Sequence, residues 1–282
     1  MSANISKLQE SFQEHGFIHL IRRSIEHILV QTPYVEGIYW QYSPKYYQWF
    51  LSPDILQTNI PINLFELRTV NPEDINRFSD IPGDAVNRIF DIGNIRDGEW
   101  DQSFKNRSRT LFTDKCIQNT VLYKSMKDRY RNNTPWENTE LVRTLLNDVS
   151  EDNPKWHGSK NKEDVLKRCE EIDRIYEMIE QIGYQKQISL VRKEEKKAFK
   201  SSGLLNALMN EIVVDIGRSG KLLLVDGRHR LSIAKILGLE EIPVLVLVRH
   251  KQWVDKLVHH HRGIKTLDHP DAKCIPTSDT SQ

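Results

Sequence analysis

The chain is poor in cysteine: Cys116, Cys169 and Cys274 are the only three in 282 residues, far apart and odd in number. That spacing excludes a paired-cysteine zinc site and does not suggest a disulfide framework, so a reducing cytoplasm is the expected setting. Charge of one sign is also missing, because 40 Lys and Arg stand against 39 Asp and Glu. The global basic excess of many nucleic-acid binders is therefore absent, which leaves a local patch as the remaining route to DNA. No apolar run approaches a membrane span, and the opening MSANISKLQESFQEHG lacks the apolar core of a signal peptide. What is present, 38% hydrophobic and 28% charged residues, suffices for one large or two small soluble domains.

Strand, turn and helix signals agree in one stretch, EIVVDIGRSGKLLLVDGRHRLSIAKILGLEEIPVLVLVRH, from Glu211 to His250. Val213 to Ile216 and Leu222 to Val225 are short aliphatic runs joined by Gly217-Arg218-Ser219-Gly220, which predicts a hairpin. Past Asp226-Gly227, the residues Leu231, Ala234, Ile236 and Leu237 recur near helical spacing, and Gly238 stands where a helix C′ glycine belongs. Ile242 to Val248 then reads as a strand covered on both faces, with Pro243 tolerated at its start.

The chemistry concentrates where strand turns into helix, at Asp226-Gly227-Arg228-His229-Arg230, with Ser232 one turn inside. Unpaired N–H groups and the positive end of a helix dipole meet three side chains able to carry positive charge, so the junction is a candidate anion site. Gly227 would let a phosphate approach the backbone, the arginines grip oxygens with two donors each, and His229 donates or relays a proton. Asp226 has three readings: holding a divalent cation, accepting a proton from an attacking hydroxyl, or capping the helix and pairing with Arg228 or Arg230.

The string VDGRHRLSIAKILGLEEIPVLV resembles the signature of the ParB/sulfiredoxin superfamily, in which a strand, a G-x-[HR]-R turn, a helix and a glycine precede Ile-Pro-Val. Upstream, Ile172 to Leu190 resembles the family's preceding unit, a helix ending in glycine before a short strand, with Lys186-Gln187 where the family often has Gln-Pro. Phe65 to Ile75, FELRTVNPEDI, is similar to its opening strand and acidic loop. Sulfiredoxin carries a cysteine where this chain has Arg228, so sulfinic acid reduction is not implied. Partition ParB proteins carry a glycine-glutamate-arginine-arginine box that binds a nucleoside triphosphate, followed by a helix-turn-helix domain. Too few residues follow the Ile-Pro-Val strand here for such a domain. The archaeal free-serine-kinase branch is nearest, because Asp226, Gly227, His229 and Arg230 match its motif while Arg228 departs from it. That branch keeps its catalytic base in an acidic loop, which makes Glu73 the matching candidate, with Asp101 as a second.

Elsewhere, Ile5 to Val30 reads as an amphipathic helix that packs on the body of the protein, a peripheral membrane helix being the alternative. TPYVEGIYWQYSPKYYQWFLSPD reads as a wedge of core with polar tips, a stacking platform being the functional alternative. Residues 81–167 interrupt the unit as an insertion. Trp100 and Trp136 in it are either core anchors or, with Asp101 and Glu137, parts of a sugar or alcohol pocket. Ile188 to Val191 reads as a strand, RKEEKKAFKSS from Arg192 to Ser202 as a solvated link, and His259-His260-His261 as a polar helix end rather than a metal site. The tail beyond Asp268-His269-Pro270-Asp271 is expected to be mobile.

These observations predict an α/β (α+β) protein: a helical, aromatic region over 1–60, a ParB/sulfiredoxin-like domain with a small mixed sheet over 61–255, and a helix end and tail over 256–282. The expected activity is Mg2+-dependent phosphoryl transfer from a nucleoside di- or triphosphate, ATP or ADP, to a hydroxyl of a small molecule. Gly227, Arg228, His229, Arg230 and Ser232 would bind phosphates, Asp226 the metal, and Asp226, His229 and Glu73 would form the catalytic set. The alternative is a non-catalytic module in which nucleotide switches binding to DNA or another protein.

Overall fold

A computed structural model describes residues 25, 29, 35–51, 54–150, 155–156, 158–192 and 203–277. Its helices are α1 (Val35–Leu51), α2 (Val121–Asn132), α3 (Glu140–Asp148), α4 (Lys162–Ile182), α5 (Gln187–Arg192), α6 (Leu204–Met209), α7 (Arg228–Leu237), α8 (Lys251–His261) and α9 (Pro270–Lys273). Its strands are β1 (Arg68–Val70), β2 (Arg77–Phe78), β3 (Ile95–Arg96), β4 (Ile212–Ile216), β5 (Leu222–Asp226) and β6 (Ile242–His250). The predicted α+β class is correct.

The hairpin forms as its turn residues require, β4 antiparallel to β5 with Ile216 opposite Leu222. β6 lies parallel to β4, with Val213 opposite Leu245, and is buried at every position except Pro243. A strand covered on both faces has no need of polar alternation, which explains its unbroken apolar run. The sheet order is β1-β6-β4-β5-β2, and β3 shares the outer edge of β6 with β1. β2 runs parallel to β5 and brings the loop after Phe78 to the end of β5.

Two hydrophobic cores result, and α7 stands between them. Its Leu231 and Ala234 join the sheet core, while Ile233 and Ile236 join a second core built by α2, α3 and α4. The stretch 81–167 divides accordingly. Ile81 to Ile117 supplies buried residues of the sheet core and β3, with Leu111 and Phe112 packed on the second core, whose buried residues begin at Leu122. Trp100 and Trp136 are both buried, so the core-anchor reading holds for each, and Trp136 Nε1 donates to Asp173 on α4 at 3.0 Å. Glu137 is exposed. In α1, Tyr39, Trp40 and Tyr47 enter the core, but Tyr42, Tyr46, Trp49 and Phe50 are exposed, so the expected wedge is one face only.

Two expected elements differ. Ile188 to Val191 is helical, not a strand: the N–H groups of Ser189 and Leu190 donate to the Lys186 carbonyl, a local bond that replaces a ladder. The first part of the tail is held in place, because α9 runs to Lys273, and Ala272 and Ile275 are buried; α9 also carries Asp271, which is fully buried. Asp271 accepts from Arg68 Nε at 3.2 Å, Arg249 Nη2 at 2.6 Å and Trp253 Nε1 at 3.0 Å. Against the cost of burial, Arg249 and Arg68 hold its carboxyl well below the usual range. The amphipathic 5–30 segment, apart from Ile25 and Leu29, lies outside the described residues, as do 193–202 and 278–282.

Removing one member of such a buried cluster strands the other charges. Asp271→Ala is expected to cost about 3–5 kcal/mol in urea unfolding. A loss below about 1 kcal/mol would show that the cluster does not anchor the tail.

Candidate functional site

The site is built where β5 ends and α7 begins. Gly227 is the helix N-cap at φ +87°, and a Cβ placed there would stand 2.8 Å from the Ile212 Cα and 3.2 Å from the Glu211 carbonyl oxygen. The close backbone approach attributed to a phosphate is thus occupied by the chain itself. Glycine is required because β5 turns into α7 directly against the start of β4.

Asp226 accepts the Gly227 N–H at 2.6 Å through Oδ1, and Oδ2 has no hydrogen bond among the described residues. Neither Arg228 nor Arg230 forms an ion pair among them either, which removes the reading that Asp226 exists to pair with these arginines. The Arg228 guanidinium lies 6.0 Å from the centroid of the Phe112 ring. Arg107, in the loop after Trp100, approaches from the side of β2. Its Nη2 donates to the Gly83 carbonyl at 2.7 Å, and its pKa is lowered by burial and then by the like charges of Arg88 and Arg228, which Asp215 and Asp226 oppose. A desolvated guanidinium beside like charges is stabilised by an anion.

Not every expected member comes to the junction. Ser232 is 1% exposed, so its hydroxyl faces the interior and not a ligand. Glu73 sits in a single 3-10 turn capped by Asn71, and its Oε2 lies 3.3 Å from Lys235 Nζ. Lys235 follows Arg228 by two turns, roughly 10 Å along the helix, and its burial lowers its pKa against the pull of Glu73. Asp101 pairs with Arg218 at 2.8 Å. Arg218 belongs to the hairpin turn, about 16 Å from the junction along the length of β5. The two base candidates are therefore held by other cations, away from Asp226.

Sequence reasoning missed Glu211, which lies one residue before β4 and carries no local signal. It is fully buried, accepts from the Tyr184 hydroxyl at 3.2 Å and from the Gln187 N–H, and faces Arg230. Burial pushes its carboxyl up to about 7, although Gln187 and Arg230 oppose the shift. Arg107 was missed too, its only trace being the basic run Lys105-Asn106-Arg107-Ser108-Arg109.

Among the described residues, no three His, Cys, Asp or Glu side chains gather as a metal group. Magnesium held by one or two carboxylates and substrate phosphates needs no such group, and the second oxygen of Asp226 fits that mode. No described helix is long and apolar enough to cross a membrane. Comparison of the chain with protein-family models, with curated proteins and with solved structures finds no match in any of the three.

Two outcomes follow from this geometry. Gly227→Ala combines a left-handed φ with a backbone clash and is expected to cost about 2–4 kcal/mol in denaturant unfolding. A neutral effect would mean that the junction relaxes freely. For Glu211, the folded protein retains a proton that the unfolded chain releases at its ordinary 4.5. Between pH 4.5 and about 7 ionisation therefore disfavours the folded state, and stability falls as pH rises through that window. Glu211→Gln should remove this decline, worth about 3 kcal/mol at most. Unfolding free energies of both proteins at pH 4.5, 6 and 7.5 check it, and parallel profiles would refute it.

Proposed function

We propose that the β5–α7 junction binds the phosphates of a nucleoside di- or triphosphate, ATP or ADP first among them, and supports phosphoryl transfer to a small-molecule hydroxyl. The observation that carries this reading is a group of arginines at one helix start that make no ion pair among the described residues. Arg228 and Arg230 start α7 with no ion pair among the described residues, and the half-buried Arg107 is crowded by Arg88 and Arg228. The resemblance of Asp226-Gly227-Arg228-His229-Arg230 to the superfamily motif supports it further.

In this reading the first N–H groups of α7 and the guanidiniums of Arg228, Arg230 and Arg107 orient the phosphates and neutralise their charge. Asp226 offers its open oxygen to Mg2+, which, when bound, offsets charge on the transferring group. His229 donates a proton to a phosphate oxygen. Phosphoryl transfer depends mainly on positioning and charge neutralisation, so it tolerates a site without a dedicated base. The placement of Glu73 and Asp101 elsewhere favours one alternative, a nucleotide-switched module without turnover that binds protein or DNA.

Calorimetric binding of ATP, ADP, CTP and GTP with Mg2+, paired with turnover assays on pooled alcohols, separates these readings. The double variant Arg228→Ala/Arg230→Ala should weaken binding at least about tenfold. Asp226→Asn should largely keep binding and abolish acceptor-dependent turnover. Unchanged turnover would sink the role given to Asp226, and binding without any turnover would establish the module. DNA binding in that case must weaken steeply with added salt.

A further inference from the structure

The junction opens sideways onto a cavity of about 180 Å3 walled by Phe112, Trp156, Arg228 and His229. Its walls are flat. Phe112 and Trp156 stack on each other, 5.7 Å apart at 28°, and form one side of it; the His229 ring is 6.1 Å from Trp156 at 39°, and the Arg228 guanidinium lies 6.0 Å from the Phe112 centroid. Trp156 is fixed there at some conformational cost. Its φ is +33°, uncommon for a bulky residue, and the turn is closed by the Lys155–Ser159 bridge and by Ser159 Oγ donating to the Trp156 carbonyl at 3.0 Å.

The space is open to solvent on one side and is lined by three rings and a guanidinium, the kind of lining a planar ligand can use. It is the size of one planar ring system rather than of a whole nucleotide. Among the described residues that line it, Arg228 and His229 belong to the proposed phosphate site. A ligand with a ring in the slot therefore has its anionic end within reach of the start of α7. The rings of Phe112 and Trp156 pack with the second core, so the 81–167 stretch supplies this half of the pocket.

We infer that this slot holds the base of the bound nucleotide, stacked on Trp156 and Phe112, while the phosphates lie on the arginines. The inference rests on the phosphate-binding reading above and adds the part of the ligand that gives affinity beyond charge. Base–aromatic stacking tolerates any base, because each has a π-face, and cation–π contact with Arg228 adds to it. A ring-bearing acceptor is the competing occupant.

The test compares equilibrium binding of inorganic tripolyphosphate with that of the tightest of ATP, CTP and GTP, all with Mg2+. Wild-type protein should bind the nucleotide at least about tenfold tighter than tripolyphosphate. Trp156→Leu and Phe112→Leu should each erase most of that advantage and leave tripolyphosphate affinity unchanged. Circular dichroism identifies a variant that fails to fold, and the wild-type ratio alone remains decisive if both do. A ratio near one in the wild type, or a ratio that both folded variants preserve, overturns the slot and leaves the phosphate site standing. A rise in acceptor KM alone overturns it in favour of the acceptor. Failure of wild-type protein to bind either ligand removes the phosphate site and the slot together.

Discussion

The contact between Gly227 and Ile212 is the constraint on which the β5–α7 end of this fold depends. A left-handed residue without a side chain lets β5 turn into α7 within contact distance of the β4 backbone. That proximity fixes where the first turn of α7 begins and which way its N–H groups point. Arg228, His229 and Arg230 then leave the helix on successive sides: toward Phe112, toward Trp156, and toward Glu211 and Tyr184. The fan of side chains follows from one backbone contact.

Buried acids show how the same fold treats charge in different ways. Asp215 on β4 is locked by Arg88 at 2.9 and 3.0 Å, by Ser79 and by the Val248 N–H, and Asp271 is locked by two arginines. Each of these carboxylates ties remote segments to the central strands and is consumed structurally. Glu211 has a hydroxyl, an amide and only a facing arginine, so burial dominates and its proton is held more tightly. Buried charge is stable where a cation is in direct contact and titratable where it is not.

The position of α7 explains why the site lies where it does. A helix with apolar residues on both sides must be covered by two layers, and its N-terminus emerges at the seam between them. The sheet side contributes Asp226 and the route from β2 to Arg107, while the helical side contributes Phe112 and Trp156. Neither core alone carries this combination of cations and rings.

Local signals made the hairpin, α7, its Gly238 end and β6 legible in the sequence, because periodicity, turn glycine and caps act within a few residues. The same rules misread Ile188 to Val191, where four apolar residues suit either state and backbone bonding to Lys186 decides. Residue type made Arg228, Arg230 and Ser232 equal candidates for an anion site, but it could not tell that Ser232 turns inward. The pairing of Glu73 with Lys235, of Asp101 with Arg218, and of Asp271 with Arg68 spans more than a hundred residues in each case. Sequence by itself determined the backbone of the junction and the chemical types gathered on it. Tertiary structure alone decided which acids were neutralised by distant cations, which carboxyl stayed buried without a contacting cation, and which rings met the helix. Local conformational preference is set by neighbours in the chain, whereas the electrostatic partner of a charge is set by whatever packing brings within a few ångströms.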